Sequence, residues 1–313
     1  MKKILITGIS GFVGTRLAEY LANSPDTEIY GLSRNNYQGN PKYLKGLFNY
    51  HDQEFWNTNS FDVVIHCAGK AHDLKNTAKP EEYDKVNYEL TKAVFEDYQR
   101  SHLSGKFIFL SSVKAVADKT DDILDENAVP DPKTPYGISK LKAERFLQQH
   151  MHSSGFSVVI LRPCMIYGPG NKGNLSLLYQ LVKKGIPWPL GAFDNQRSFL
   201  FIDNLAFMIR EIIDQQIPSG IFHVADDGFL STNDLIRLIG GLTGVRNKIL
   251  KVPKNLIRVL ARTGDFLHLP FDTEKLEKLT ENYKVDNQKI KHVMGKELPV
   301  STQQGMAQTF RKI

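Results

Sequence analysis

The sequence predicts a doubly wound α/β fold: a parallel sheet covered by helices on both faces, with a smaller C-terminal α/β lobe over the carboxyl edge of the sheet. Three observations predict it. Short apolar runs alternate with amphipathic helical patterns through the first half, a glycine-rich turn directly follows the first run, and the alternation is lost after Tyr167-Gly-Pro-Gly170. Lys3–Ile6, Glu28–Leu32, Phe61–His66, Phe107–Leu110 and Ser157–Leu161 read as strands buried on both faces. Thr15–Asn23, Tyr83–Arg100 and Gly137–His150 carry apolar residues at three-to-four spacing, which predicts helices. Strand, helix, strand repetition requires right-handed crossovers and so a parallel sheet. Beyond Tyr167, short helices are expected at Leu175–Lys184, Asn233–Gly241 and Lys254–Arg262, and Ile221–Ala225 reads as a strand returning to the sheet. The expected division is a nucleotide-binding domain over 1–165 with a returning segment near 197–225, and a substrate lobe over 166–196 and 226–313.

With 313 residues, 41% hydrophobic and 24% charged, the chain has the composition of an ordinary globular protein with a full core. No apolar run approaches the ~18 to 20 residues that span a bilayer, and Met1-Lys-Lys-Ile-Leu-Ile-Thr-Gly8 enters a strand pattern with no cleavable signal, so a cytoplasmic protein without membrane insertion is expected. Cys67 and Cys164 lie inside apolar runs, as reduced buried thiols do, and neither has His or Cys neighbours at metal-ligand spacing. No metal site is expected. The net charge of +6 is modest and its cations read as scattered among acids, which predicts an anionic small molecule as ligand and no nucleic acid.

Gly8-Ile-Ser-Gly-Phe-Val-Gly14 stands between the first strand and the first helix. Glycines there serve a tight turn, close approach of backbone to a pyrophosphate and packing of helix on strand, while the helix N-terminus attracts the anion. The setting predicts a dinucleotide site of Rossmann type, although the spacing is G-x-x-G-x-x-G. A carboxylate at the end of the second strand would bind the adenosine ribose of NAD, but the chain reads Gly31-Leu-Ser-Arg-Asn35. Arg34, with Ser33 as a further donor, suits a 2′-phosphate, so NADP is expected ahead of NAD.

Tyr136 and Lys140, in Thr134-Pro-Tyr-Gly-Ile-Ser-Lys140, fall one turn apart on one side of a helix. A tyrosine that titrates near ~10 needs a positive neighbour to act as acid or base near neutrality. Lys140 and an oxidised nicotinamide would provide that charge. Ser112, at the end of the run Phe107-Ile-Phe-Leu-Ser-Ser112, would hold the substrate oxygen while Tyr136 moves its proton. His66 reads as a hydrogen-bonding residue at a strand end, Lys70 and His72 as sugar-pocket or loop residues, and the acidic run Asp121-Asp-Ile-Leu-Asp-Glu126 as a solvated loop.

The ordered segments "GISGFVG", "DVVIHCAG", "VNYELTKAV", "FLSSV", "PYGISK", "LRPCMIYGPGN" and "RSFLFIDNLA" resemble the extended short-chain dehydrogenase/reductase superfamily, in particular its NAD(P)-dependent nucleotide-sugar epimerase and dehydratase family. The likeness extends to bacterial UDP-N-acetylglucosamine 4-epimerases and to 4-ketoreductases that form UDP-N-acetylquinovosamine. It implies that Ser112, Tyr136 and Lys140 are catalytic and that Asn87 supports the active-site backbone and lysine. It further implies that Gly8, Gly11, Phe12, Val13, Gly14, Ala68 and Gly69 line the cofactor cleft, that Pro163 and Ile166 back the nicotinamide, and that Asn174 and Arg197 bind the substrate diphosphate. Two departures matter. Ser33-Arg34 stands where many relatives have an acid, with Asn49 or Asp52 for the adenine-side acid of the third strand. Val113-Lys114 replaces the Asp-Glu pair of the dehydratases, so chemistry confined to hydride transfer at C4 is expected. The remaining alternatives are a 4-ketoreductase, a 4-epimerase, and a non-catalytic NADP-sensing regulator on the same fold. The superfamily's four-helix packing of the helices at Tyr83–Arg100 and Gly137–His150 implies a homodimer.

Overall fold

A computed structural model describes residues 1–34, 43–50, 52, 54–71, 79–120, 122–151, 155–171, 174–267, 269 and 271–311. Strand β1 (Lys2–Thr7) leads into α1 (Phe12–Leu21), β2 (Thr27–Ser33), β3 (Leu44–Asn49), α2 (Glu54–Thr58) and β4 (Val63–His66). A helical rod follows, α3 (Pro80–Tyr83) passing through a π-helical stretch, Asp84–Glu89, into α4 (Leu90–Ser101). Then come β5 (Gly105–Leu110), a 3-10 turn at Val113–Ala115, β6 (Ile123–Leu124), α5 (Pro135–Gln148), β7 (Phe156–Pro163) and β8 (Met165–Tyr167). The remainder runs α6 (Asn174–Lys183), β9 (Phe199–Phe201), α7 (Ile202–Asp214), β10 (Gly220–Val224), α8 (Thr232–Thr243), α9 (Lys254–Leu267), α10 (Thr273–Thr280), β11 (Lys284–Val285), α11 (Gln288–Met294) and α12 (Thr302–Phe310).

Seven parallel strands form the main sheet in the order β10-β7-β5-β4-β1-β2-β3. This is the Rossmann-type arrangement the alternating pattern predicts. The chain winds outward from β1 to β3 and resumes at β4 on the other side of β1, so the crevice of the switch point opens at the carboxyl ends of β1 and β4, where Thr7 pairs with His66.

The strands read as unbroken apolar runs because each face of the sheet has its own core. Ile4, Ile6, Ile65, Ile108 and Leu161 face the cluster under α1 and α7, while Leu5, Val64, Phe107, Phe109 and Ile160 face the cluster under α4 and α5. Residues one apart on a strand thus enter different cores. At ~25 cal/mol per Å2 of apolar surface removed from water, these two layers are the dominant stabilising term. Beyond the sheet, β8 pairs with β9 and β6 with β11, both parallel. Cys164 is buried as expected; Cys67 is only partly so, and both thiols are free.

Candidate active site

The glycine turn is shaped for close packing. Gly8 sits at φ +66, and a Cβ on Gly14 would fall 2.3 Å from the Gly8 carbonyl oxygen, so a side chain at Gly14 would drive α1 off β1. Helix α1 opens at Gly11 with no side-chain cap and no acid in its first turn. Its leading N–H groups, on Phe12 and Val13, are thereby left for an external acceptor, and a diphosphate suits them in both charge and size. Ala68 and Gly69 follow β4 on the other wall, where Ala68 N–H donates to Thr7 Oγ1 (3.1 Å).

At the end of β2, Ser33 pairs with Asn49 of β3, whose amide Nδ2 donates to the Arg34 carbonyl (3.1 Å). Ser33 is buried and Arg34 exposed. No acid occurs between Glu28 and Asp52. Asp52 itself accepts from the Glu54 N–H (3.2 Å) at the start of α2.

Tyr136 and Ser112 are brought together by the way α5 begins. Thr134 caps the helix, Pro135 fits its first position, and the Asp118 carboxylate receives Lys133 N–H (2.6 Å) and Thr134 Oγ1 (2.8 Å). These contacts, not visible as a period, start the helix two residues ahead of Gly137. Gly137 lets α5 seat on the 3-10 turn, since a Cβ there would lie 2.3 Å from the Lys114 carbonyl. The Tyr136 hydroxyl is hydrogen-bonded to Ser112, which lowers its pKa, yet burial outweighs that bond and leaves the phenol above its ordinary 10. Tyr83 lies edge-on to it at 6.4 Å.

Lys140 is buried, donates to the Leu110 carbonyl (2.9 Å) and stands 4.7 Å over the Phe109 ring. Burial pulls its ammonium down to about 8. The Leu110 carbonyl is the acceptor that holds the ammonium at the carboxyl end of β5.

Asn87, in the π-helical stretch, clamps the backbone of Lys70, accepting its N–H (2.8 Å) and donating to its carbonyl (3.0 Å); it also donates to Ser139 Oγ (2.9 Å), which in turn donates to the Tyr136 carbonyl (2.8 Å). Behind it runs a buried relay that sequence reasoning missed. Thr91 donates its only proton to the Asn87 carbonyl (2.7 Å), so it accepts from His66 Nε2 (3.0 Å), leaving His66 Nδ1 to accept from Thr7 (2.8 Å). Burial holds His66 neutral, down at about 3. The relay joins the turn after β1 to the helix carrying Tyr136, and it is the strand-end hydrogen bonding expected of His66.

Pro163 ends β7 opposite Val224, and Ile166 lies in β8, on the same carboxyl edge. Arg197 reaches the lobe, donating to the Lys278 carbonyl (2.9 Å) and to Glu281 (3.4 Å). Lys114, which sequence reasoning considered only as a missing acid, is a half-buried cation 4.3 Å over the Tyr283 ring, close enough to Glu281 and Arg197 for their charges to shift its pKa. Lys70 pairs with Glu82. His72 lies outside the described residues, as does the side chain of Asn174. Asp121, in the acidic run, is likewise outside them.

The cleft thus offers an uncapped helix start, an exposed arginine at the end of β2, and a hydroxyl pair beside a buried lysine. Residues 4–225 match the NAD dependent epimerase/dehydratase family. A UDP-glucose 4-epimerase of Vibrio cholerae is 31% identical over 98% of this chain and 94% of its own length. Among solved structures, UDP-glucuronic acid 4-epimerase from Bacillus cereus in complex with NAD has a TM-score of 0.76 at 19% identity, covering 99% of this chain and 98% of that one. RMD from Pseudomonas aeruginosa complexed with NADPH has 0.75 at 19%, covering 100% and 99%. The chain belongs to the NAD dependent epimerase/dehydratase family and is an NAD(P)-dependent enzyme of the nucleotide-sugar group.

Proposed function

We propose that the chain is an NADPH-dependent 4-ketoreductase acting on a UDP-linked hexose or N-acetylhexosamine. The observation that carries this reading is the end of β2: Ser33-Arg34, with no carboxylate from Ile29 through His51 to bind a ribose 2′-hydroxyl. A cofactor selected by its 2′-phosphate belongs to the reducing pool and is exchanged at each turnover.

A nicotinamide dinucleotide bound at the glycine turn supplies hydride exchange; the chain handles the proton. Tyr136 gives its phenolic proton to the C4 oxygen as C4 gains hydride, so the carbonyl becomes an alcohol. Ser112 donates a hydrogen bond to the same oxygen, and Lys140 supplies positive charge beneath the phenolate that remains. Arg197 and Asn174 bind the substrate diphosphate, Arg197 by turning its fork from Glu281 to phosphate. Val113-Lys114 provides no acid for water elimination. The expected assembly is a homodimer through α4 and α5.

A 4-epimerase is the second reading, favoured by the full-length relationship to one. The test supplies the UDP-4-keto-6-deoxy sugar and UDP-N-acetylglucosamine with NADH and NADPH in parallel. Reduction of the keto sugar with NADPH is expected; C4 inversion of UDP-N-acetylglucosamine without added cofactor, or protein that purifies with NAD bound, sinks the reductase. In Arg34→Asp, loss of a charge-assisted contact removes ~1.5 to 3 kcal/mol, so the NADPH preference should fall roughly 10 to 150-fold or invert. A wild type already preferring NADH defeats the 2′-phosphate role.

A further inference from the structure

The cations of this chain are not scattered as its overall composition suggests. Residues 245–264 contain Arg246, Lys248, Lys251, Lys254, Arg258 and Arg262 and no acid. Without them the 40 basic residues fall to 34, equal to the 34 acids, so the entire +6 resides in these twenty positions. Among the described residues none of the six enters an ion pair, whereas basic residues elsewhere are repeatedly paired.

The same stretch carries an inverted helix. In α9 the side turned inward is narrow and small, Ile257, Ala261 and Gly264, and a Cβ on Gly264 would lie 1.8 Å from the Phe271 carbonyl. The large apolar residues face outward: Leu256 is 52% exposed, Val259 56%, Leu260 51%, Phe266 83% and Leu267 55%. At 100° per residue these five form one continuous outer stripe. Lys254, Arg258 and Arg262 are exposed along its flank, at the edge of a cavity they share with Phe193, Asp194 and Glu277, where Lys254 stands 5.6 Å over the Phe193 ring. An ordinary surface helix does the reverse.

We propose that α9 and the segment leading into it form a peripheral docking face for an anionic phospholipid bilayer, the stripe entering the headgroup boundary and the cations meeting lipid phosphates. An apolar stripe with cationic flanks is the pattern of a helix lying in the membrane plane, where cations near an anionic surface and buried apolar side chains add. A second copy of the chain is disfavoured by its own charge, since an isologous pair would set six cations against six. Nucleic acid would match the cations but leaves four aliphatic side chains and one Phe without a partner. Helix α9 carries none of the residues assigned to the reaction, and the proposal is independent of that reaction.

The full chain is mixed with vesicles of phosphatidylcholine, with and without phosphatidylglycerol, and sedimented. Binding to the anionic vesicles alone, weakened by added salt, is expected. Arg258→Gln with Arg262→Gln should lower the partition coefficient roughly 30-fold. Val259→Ser with Phe266→Ser should lower it at least ~10-fold while circular dichroism stays unchanged, both side chains being exposed. No binding to anionic vesicles, equal binding to both, or full binding by either double variant overturns the proposal. So does an oligomer whose mass falls in Val259→Ser with Phe266→Ser, which assigns the face to a second copy, or displacement of bound vesicles by duplex DNA, which assigns it to nucleic acid.

Discussion

Tyr136 holds its proton more tightly than a free tyrosine because burial outweighs the Ser112 bond. A phenol of that kind suits an acid that gives its proton only when charge develops on the substrate oxygen. Tyr136→Phe removes that proton together with the bond to Ser112 and keeps the ring, so turnover should drop ~10² to 10⁴-fold with cofactor affinity nearly unchanged in a fluorescence titration. Turnover close to wild type would remove Tyr136 from the mechanism. The alkaline limit should belong to Lys140. Its ammonium, drawn down to about 8, is charged below that pH and neutral above it, so reductive turnover is expected to decline as pH rises through about 8. A profile flat to pH 10 would contradict this. Tyr136 and Lys140 are legible in the sequence because one helical turn relates them, and Ser112 because it ends an apolar strand run; the meeting of Ser112 with Tyr136 depends on how α5 seats on the 3-10 turn. The His66 relay is not, because its partners lie 59 and 25 residues away and only the sheet brings them together. Lys114 was hidden for the same reason, its ring partner being Tyr283.

Among elements, strand and helix patterns in the first half were readable because each buried strand is a continuous apolar run and each covering helix has one apolar face. The lobe was not. Its strands β6 and β11 are two residues each and pair across 160 positions of sequence, too short for any period. Helix α7 escaped notice although it is the most amphipathic part of the returning segment, with Ile202, Leu205, Ile209 and Ile212 buried against α1. The glycine turn was legible as a motif, but the structure divides its glycines by purpose. At Gly11 an added Cβ approaches only the Gly8 carbonyl, at 3.2 Å, whereas at Gly14 it collides at 2.3 Å. Gly14→Ala should therefore destabilise the fold itself, lowering the melting temperature by several degrees, at a cost of ~1 to 3 kcal/mol for overpacking. Gly11→Val should leave melting close to wild type and abolish cofactor binding, because there the space is reserved for the ligand. Thermal scans with and without cofactor separate the two; equal melting losses would end the distinction.

For the whole molecule, the candidate active site is a stability cost carried by the two cores. Lys140 is buried at 4% exposure with an ammonium whose folded pKa, about 8, lies below its ordinary 10.5. Between those values the unfolded chain binds more protons than the folded one, so stability rises with pH across that window, and at neutral pH the folded state bears the full penalty of the buried charge. A shift of this size corresponds to about 3 kcal/mol. Lys140→Met removes the charge at nearly constant length, losing the bond to the Leu110 carbonyl but leaving that acceptor a second lone pair and the β5 end intact. The expected net gain is ~1 to 2 kcal/mol, or roughly 2 to 8 °C in melting temperature for a chain of this size. Turnover should meanwhile fall at least ~10²-fold. The pH dependence supplies the control: between pH 8 and 10 wild type should gain stability relative to Lys140→Met, narrowing the gap. A variant that melts below wild type at pH 7, or a gap that does not change with pH, would mean that the Leu110 contact and the packing of the lysine stem outweigh the cost of its charge.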